Sequence, residues 1–306
     1  MSLKDPIQHV YDRIQEDMYN EVRQYKRPLE HFRASEAGDC WRAVYYRLAG
    51  YRPAPKSPKS FLYGTNGDVD HNLIRQMLSH YGIELRGITF EADGNVKEHI
   101  HYKQTLPTKH GEITISFRSD GEIRTPHGWT HLEIKGKGKN AVYWMNQAYQ
   151  QGGHDAAVAR LQDKYRGDYW QCQIGMKLTG HKHAYLLWKD RDSENLGLHR
   201  DNDMMQDIEA TGIYLDFDEE AWQQIVDRFT YIKGCLEKRE PPSTEYPAGS
   251  DACKKWCRYW YLCHGADQRK RQGMEPSILY PGPQIDIHAE PGDNEERSDQ
   301  GDQREP

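Results

Sequence analysis

Asp120 and, further along, Glu133-Ile134-Lys135 have the types and spacing for phosphodiester hydrolysis. Two carboxylates on neighbouring strands can share a hard divalent cation, because Mg²⁺ takes oxygen ligands in octahedral geometry and keeps several waters. A lysine two residues beyond the second carboxylate reaches the same point. There it could orient or deprotonate a metal-bound water and stabilise the charge of a phosphorane-like transition state. Taken alone, Glu-x-Lys is also what a solvated strand face carries. Sulfur gives a second constellation: Cys253, Cys257 and Cys263 fall close together in Cys253-Lys-Lys-Trp-Cys257-Arg-Tyr-Trp-Tyr-Leu-Cys263, which is metal-ligand spacing. Disulfides are not expected in a cytoplasmic chain, and Cys172 and Cys235, without partners at such spacing, are expected in the core.

The elements that must position these residues follow from periodicity. Ile7, Val10, Tyr11, Ile14 and Met18 predict an opening amphipathic helix. A proline-rich loop, 51–58, separates the Cys40 region from a helix predicted over 61–81, with Val69, Leu73 and Met77 on its apolar face and Gly82 as its stop. Gly67 and His71 share the neighbouring face. Extended segments are predicted at 84–90, 96–105, 112–123 and 129–135. In the third, Ile113, Ile115 and Phe117 alternate with polar residues and put Asp120 on the polar face. In the fourth, Leu132 and Ile134 alternate with His131, Glu133 and Lys135. The turn residues Thr125-Pro-His-Gly128 make these last two a hairpin, so that Asp120, Glu133 and Lys135 meet opposite the apolar side. A helix over 168–178 ended by Thr179-Gly180, strands at 183–188 and 212–217, and a helix capped by Asp218 and closed by Lys238, Arg239 and Pro241-Pro242 complete a mixed α/β pattern. No internal repeat is present.

Composition sets the bounds. The chain has 306 residues, 36% hydrophobic and 29% charged, with no apolar run near the ~18 to 20 residues of a membrane span. Its N-terminus has no secretory pattern, and a cytoplasmic location is expected. Residues 281–306 hold eight acidic and two basic residues, which accounts for the whole formal charge of -6. This tail is expected to be disordered. The remainder is neutral, which neither supports nor excludes nucleic acid, since only the distribution of charge would matter.

In order and context these residues resemble the PD-(D/E)XK nuclease superfamily, specifically its RecB-like branch with a four-cysteine iron-sulfur cluster, which includes CRISPR-associated four-cysteine exonucleases, the AddB nuclease domain and phage recombination exonucleases. The resemblance covers approximately residues 34–264. It implies a restriction-endonuclease-like α/β core, a central mixed sheet flanked by helices. His71, Asp120, Glu133 and the Ile134 carbonyl would bind Mg²⁺ or Mn²⁺, and Lys135 would serve the attacking water. Gln171 would position the scissile phosphate; Gly175 stands where the family carries Tyr, so that Tyr169 or Gln173 would have to compensate. Cys40, in Cys40-Trp-Arg42-Ala-Val-Tyr45-Tyr46, matches the family's first cysteine and would join Cys253, Cys257 and Cys263 around a 4Fe-4S cluster, with zinc as the rival for the same thiolates. Such a cluster would join the N- and C-terminal segments.

The implied organisation is a helical segment with the first cysteine (1–60), a nuclease core (61–240), a three-cysteine segment (241–280) and the acidic tail (281–306). The implied function is a metal-dependent DNA exonuclease acting at DNA ends, single-stranded or resected, in recombination, repair or phage replication. Alternatives are a CRISPR spacer-acquisition nuclease and a non-catalytic DNA-binding module with a zinc-cysteine site. DNA is the expected partner, and the resemblance allows a homo-oligomer and a recombination or CRISPR-adaptation partner protein. Lys254, Lys255, Trp256, Arg258, Tyr259, Trp260 and Tyr261 mix positive charge with flat rings, which suits either a single strand or packing around the metal.

Overall fold

The structure, a computed structural model, describes residues 13, 16, 31–51, 53–54, 71–90, 96–190, 210–246, 250, 253 and 257–263. The predicted opening helix, except Arg13 and Glu16, lies outside these residues. So do Gly67, Val69, Lys254–Trp256, the acidic tail and most of the proline-rich loop.

In chain order the elements are β1 (Phe32–Arg33), α1 (Trp41–Leu48), α2 (71–80), β2 (Leu85–Arg86), β3 (Ile88–Phe90), β4 (Val96–His99), β5 (His101–Thr108), β6 (Gly111–Arg118), β7 (Glu122–Thr125) and β8 (Gly128–Lys137). There follow α3 (Lys139–Lys164), α4 (Arg166–Thr179), β9 (His183–Asp190), β10 (Ala210–Asp216) and α5 (Glu219–Lys238). The main sheet runs β10-β9-β8-β7-β2 and is mixed, since β8 and β9 are parallel while β7–β8 and β9–β10 are antiparallel. A second sheet runs β1-β6-β5, and β3 pairs with β4. No described helix is long and apolar enough to cross a membrane.

The β7–β8 hairpin turns at Pro126-His127, with Thr125 opposite Gly128 and Glu122 opposite His131, as the turn residues predict. The single strand predicted over 112–123 does not form. Ile113, Ile115 and Phe117 alternate inward as read, but the chain leaves the second sheet after Arg118 and enters the main sheet at Glu122. Ser119-Asp120-Gly121 is the crossover. Ser119 Oγ accepts from the Gly121 amide at 3.0 Å, and Gly121 has φ +133°, which no ordinary strand residue adopts. Asp120 therefore sits between two sheets, not on a strand face.

β8 is buried on both sides. Leu132 and Ile134 pack with Ile123 and Ile74 of α2, while His131 and Glu133 lie in the opposite layer, under α4. The face of α2 differs from the predicted one. Leu73 is 42% exposed, and the inward stripe is His71, Ile74, Arg75 and Leu78, at helical spacing. A buried carboxylate beneath the helix draws in Arg75, and a periodicity scored on apolar residues alone misses that. The chain reverses at Gly82 (φ +76°), where the Gly82 and Ile83 amides donate to the Ser79 and Leu78 carbonyls, a Schellman closure. Gly180 (φ +77°) ends α4 as predicted, and Asp218 Oδ1 caps α5 by accepting from the Glu220 and Ala221 amides at 2.9 and 3.1 Å.

α3 is absent from the sequence reading. It is broken at Gly153, whose φ of 69° and ψ of -160° are not helical. The Arg160 guanidinium lies 5.6 Å from the Trp144 ring centre, although sixteen residues of straight helix would separate them by about 24 Å. α3 is thus a helical hairpin, its halves burying Val142 and Met145 on one side of the bend and Ala157 and Leu161 on the other.

The N- and C-terminal segments are stitched together. Ala54 N–H donates to the Arg258 carbonyl, and Arg258 Nε returns a bond to the Ala54 carbonyl, both at 2.8 Å. The Trp41 amide donates to Glu245 (3.2 Å), and Arg42 Nε to the Pro242 carbonyl (2.5 Å). Gly38 and Gly167 meet backbone to backbone, with no room for a Cβ on Gly38.

Candidate active site

The site is a notch in the main sheet. β7 begins only at Glu122, so β8 loses that neighbour beyond Leu132, whose amide still donates to the Gly121 carbonyl at 2.9 Å. The Ile134 amide donates instead to Asp120 Oδ2, also at 2.9 Å. A carboxylate thus takes the place of a missing strand.

Asp120 is gripped from α2. Arg75, 1% exposed, donates through Nη2 to Asp120 Oδ1 (2.7 Å) and through Nε to the Asp120 carbonyl (2.8 Å), and His71 Nδ1 lies 3.3 Å from Oδ1. Burial alone would raise the Asp120 pKa. The His71 hydrogen bond and the charges of Arg75 and Lys135 outweigh it and hold the carboxyl well below the usual carboxylate range. Arg75 was not among the residues read from sequence; its place four residues after His71, on the same helix face, was the available signal.

On the other side of β8, Lys135 Nζ donates to Glu133 Oε1 (2.6 Å) and to Gln171 Oε1 (2.8 Å), while Gln171 Nε2 donates to the same Glu133 Oε1 (2.7 Å). Burial would lower the Lys135 pKa, but Glu133, Asp168 and Asp120 reverse that and keep the ammonium firmly protonated. Glu133 is 1% exposed; its Oε2 has no hydrogen-bond partner and faces His131 Nε2 at 3.6 Å.

Gly175 has a local explanation. It lies against the buried His131 ring, which a Cβ there would overlap, so a tyrosine has no space at this position. Tyr169 and Gln173 do not stand in for one. The Tyr169 hydroxyl donates to Asp218 Oδ2 (2.8 Å), and Gln173 bridges the Asp216 carbonyl (3.1 Å) and the Asp218 amide (2.8 Å). Both tie α4 to the start of α5.

All six cysteines are free thiols. Cys40, Cys253 and Cys257 line one cleft with Asp39, Tyr246 and Tyr259. The Cys257 thiol is pushed up to about 12, by burial first and then by the nearby Cys40, Cys263 and Cys253 sulfurs. Cys172 is buried in the main core and Cys235 packs against it, as expected. Tyr259 and Trp260 are also buried, which gives them a packing role. Among the described residues, no group of three or more His, Cys, Asp or Glu side chains is gathered closely enough to hold a metal ion.

Both donor sets nevertheless have the chemistry for one. The notch offers Asp120, held ionised, and in Glu133 a buried carboxylate oxygen with no hydrogen-bond partner, and hard oxygen donors suit Mg²⁺ or Mn²⁺. The cleft offers the Cys40 and Cys257 thiols, both raised by burial and Cys257 further by its neighbouring sulfurs, so a soft cation is what would let them ionise.

No protein-family model matches the chain, and no curated protein does. Among solved structures it is similar to SSO0001 (TM-score 0.45, 15% identity, covering 83% of this chain and 96% of that one). It is also similar to the alkaline exonuclease LHK-Exo from Laribacter hongkongensis (TM-score 0.39, 14% identity, 73% and 93%). A phage-related exonuclease from Haemophilus somnus 129PT gives a TM-score of 0.42 at 15% identity, covering 69% of this chain and 96% of that one.

Proposed function

We propose that the chain is a divalent-metal-dependent deoxyribonuclease that hydrolyses phosphodiester bonds at DNA ends. The observation that carries this reading is the convergence of Asp120 from a crossover and Glu133, Lys135 and Gln171 from a strand and a helix on one notch. Asp120, Glu133, the Ile134 carbonyl and His71 would hold the Mg²⁺ or Mn²⁺. The ion, when bound, supplies Lewis-acid polarisation of a phosphoryl oxygen. Lys135, its Nζ fixed by Glu133 and Gln171, acts as a positive donor toward the charge that develops on the phosphate. Gln171 sets its direction by holding both Nζ and Glu133. Arg75 keeps Asp120 ionised and aimed.

We further propose that Cys40, Cys253, Cys257 and Cys263 hold a 4Fe-4S cluster, or zinc in its place, with the structural role of closing the two chain segments on each other. Absorbance near 400 nm from anaerobically purified protein separates iron-sulfur from zinc.

The test of the nuclease uses DNA labelled separately at its 5′ and 3′ ends, single- and double-stranded, with Mn²⁺ or Mg²⁺. Metal-dependent cleavage is expected, and Lys135→Ala, matched to wild type in circular dichroism and melting, should lower its rate by about 100-fold or more. Wild-type protein that retains DNA but cuts no substrate would remove the catalytic assignment and leave a binding module.

A further inference from the structure

The first half of α3 is the described helix that follows directly on the catalytic strand. Its residues 139–152 carry a single charge, Lys139, in a chain that is 29% charged. The buried positions Val142 and Met145 fix its inward face. The outward face carries Tyr143 and Trp144, 37% and 51% exposed, beside the uncharged Gln147, Gln150 and Gln151. A solvent-facing helix surface ordinarily carries charges; this one presents two adjacent large rings and amides, and a third exposed ring, Tyr149, follows on the same helix half. The rings are held in place. The Arg160 guanidinium covers one side of Trp144, and Tyr143 meets its edge, with centroids 5.2 Å apart and planes at 74°. Fixing the indole in this way reduces the order it would lose on binding a flat partner.

We infer that Tyr143 and Trp144 form a stacking platform for the bases of single-stranded DNA running into the notch. That DNA is the partner rests on the function proposed above; that the contact is made to bases of a single strand comes from the surface itself. No carboxylate on this helix half repels phosphates; Lys135 and Lys137 are paired with Glu133 and Asp168, at 2.6 Å each, and the exposed Lys139 opens the helix that carries the rings. Flat side chains on a helix face free of carboxylates suit unpaired bases, whose π-faces a duplex keeps stacked on one another. Chain length limits the separation: from Lys135 to Trp144, Cα to Cα, is at most about 21 Å. That is the span of at most about six nucleotides at the ~3.4 Å spacing of stacked bases, and of fewer in an extended strand. The platform therefore engages the strand within a few nucleotides of the bond to be cut.

The experiment measures fluorescence anisotropy of labelled oligo-dT, and of an abasic oligomer of equal length, with the full chain and no added Mg²⁺ or Mn²⁺, so that nothing is cut and the metal proposed at the cysteine cleft is not stripped. Tyr143→Ala/Trp144→Ala should bind oligo-dT at least about tenfold more weakly than wild type. Trp144→Phe should stay within about threefold, because it keeps a π-face, and all three proteins should bind the abasic oligomer equally. Unchanged oligo-dT binding by the double variant overturns the platform, as does equal weakening on the abasic oligomer. A wild-type dimer in sedimentation that the double variant fails to form also overturns it, since the face would then join two copies of the chain. Cleavage assayed in parallel keeps the two readings apart. Cutting with ring-independent binding removes the platform alone; ring-dependent binding without cutting removes the nuclease alone.

Discussion

At the scale of single residues, Arg75 and Gly175 do the most that was not legible in the sequence. Asp120, Glu133 and Lys135 could be picked out by type and spacing, but the grip on Asp120 comes from a cation on a helix scored by its apolar residues. Breaking a buried pair by removing one partner is strongly destabilising. Arg75→Met should therefore cost about 3 kcal/mol or more in urea unfolding at pH 7; a loss under about 1 kcal/mol would mean that His71 suffices. The pH dependence has a definite sign. Asp120 is held below its usual value of 3.8 in the folded chain, so its contribution to stability is complete above about pH 5 and is lost as pH falls through the unfolded pKa toward the folded one. Arg75→Met should flatten that acid slope. Gly175 shows why a pattern departure need not mean lost function: the His131 ring occupies the space. Gly175→Ala must push against a fully buried ring, and a loss of about 1–3 kcal/mol is expected. Cleavage should fall with it, because His131 lies beside Glu133.

At the scale of elements, legibility followed local chemistry. The Asp218 cap, the Gly82 and Gly180 stops and the Thr125–Gly128 turn were readable because each is a short-range rule about one backbone conformation. The crossover at Ser119–Gly121 was not, since the alternation of Ile113, Ile115 and Phe117 continues smoothly into polar residues and nothing local says that the sheet partner changes. α3 was missed for a related reason. Its inward residues, Val142, Met145, Ala157 and Leu161, belong to two helices of different phase, and one periodicity cannot be fitted across the bend at Gly153. The adjacent glycines 152 and 153 were the visible sign. The φ and ψ of Gly153 fall in a region essentially reserved for glycine. Gly153→Ala should cost about 1–3 kcal/mol in chemical unfolding, and oligo-dT binding should weaken with it, because the bend is what brings Arg160 to Trp144. If stability is unchanged, the bend is not what fixes the hairpin.

At the scale of the whole molecule, the described N- and C-terminal segments are joined by contacts with each other. Ala54 with Arg258, Trp41 with Glu245 and Gly38 with Gly167 bring the Cys40 segment to the Cys253–Cys263 segment and to the start of α4, the helix that carries Gln171. Cys257→Ser should abolish metal retention at the cleft and lower the melting temperature by several degrees, given about 2–4 °C per kcal/mol for a chain of this size. Metal analysis and calorimetry on the anaerobic protein check both, and normal melting with the metal gone would remove the structural role. Metal loading should also release protons, since the Cys40 and Cys257 thiols, raised by burial, are protonated at neutral pH without it.

The stitching of Ala54 to Arg258 has a consequence in time. The two residues are 204 positions apart, and at about 5–20 residues per second synthesis separates their appearance by roughly 10–40 s. Every described strand and helix around the notch has been made by the time α5 is complete, while the three later cysteines are still to come. For that interval Cys40 has none of the three thiols with which it is proposed to share a metal. The contact that closes these two segments therefore waits until the last described segment has been made.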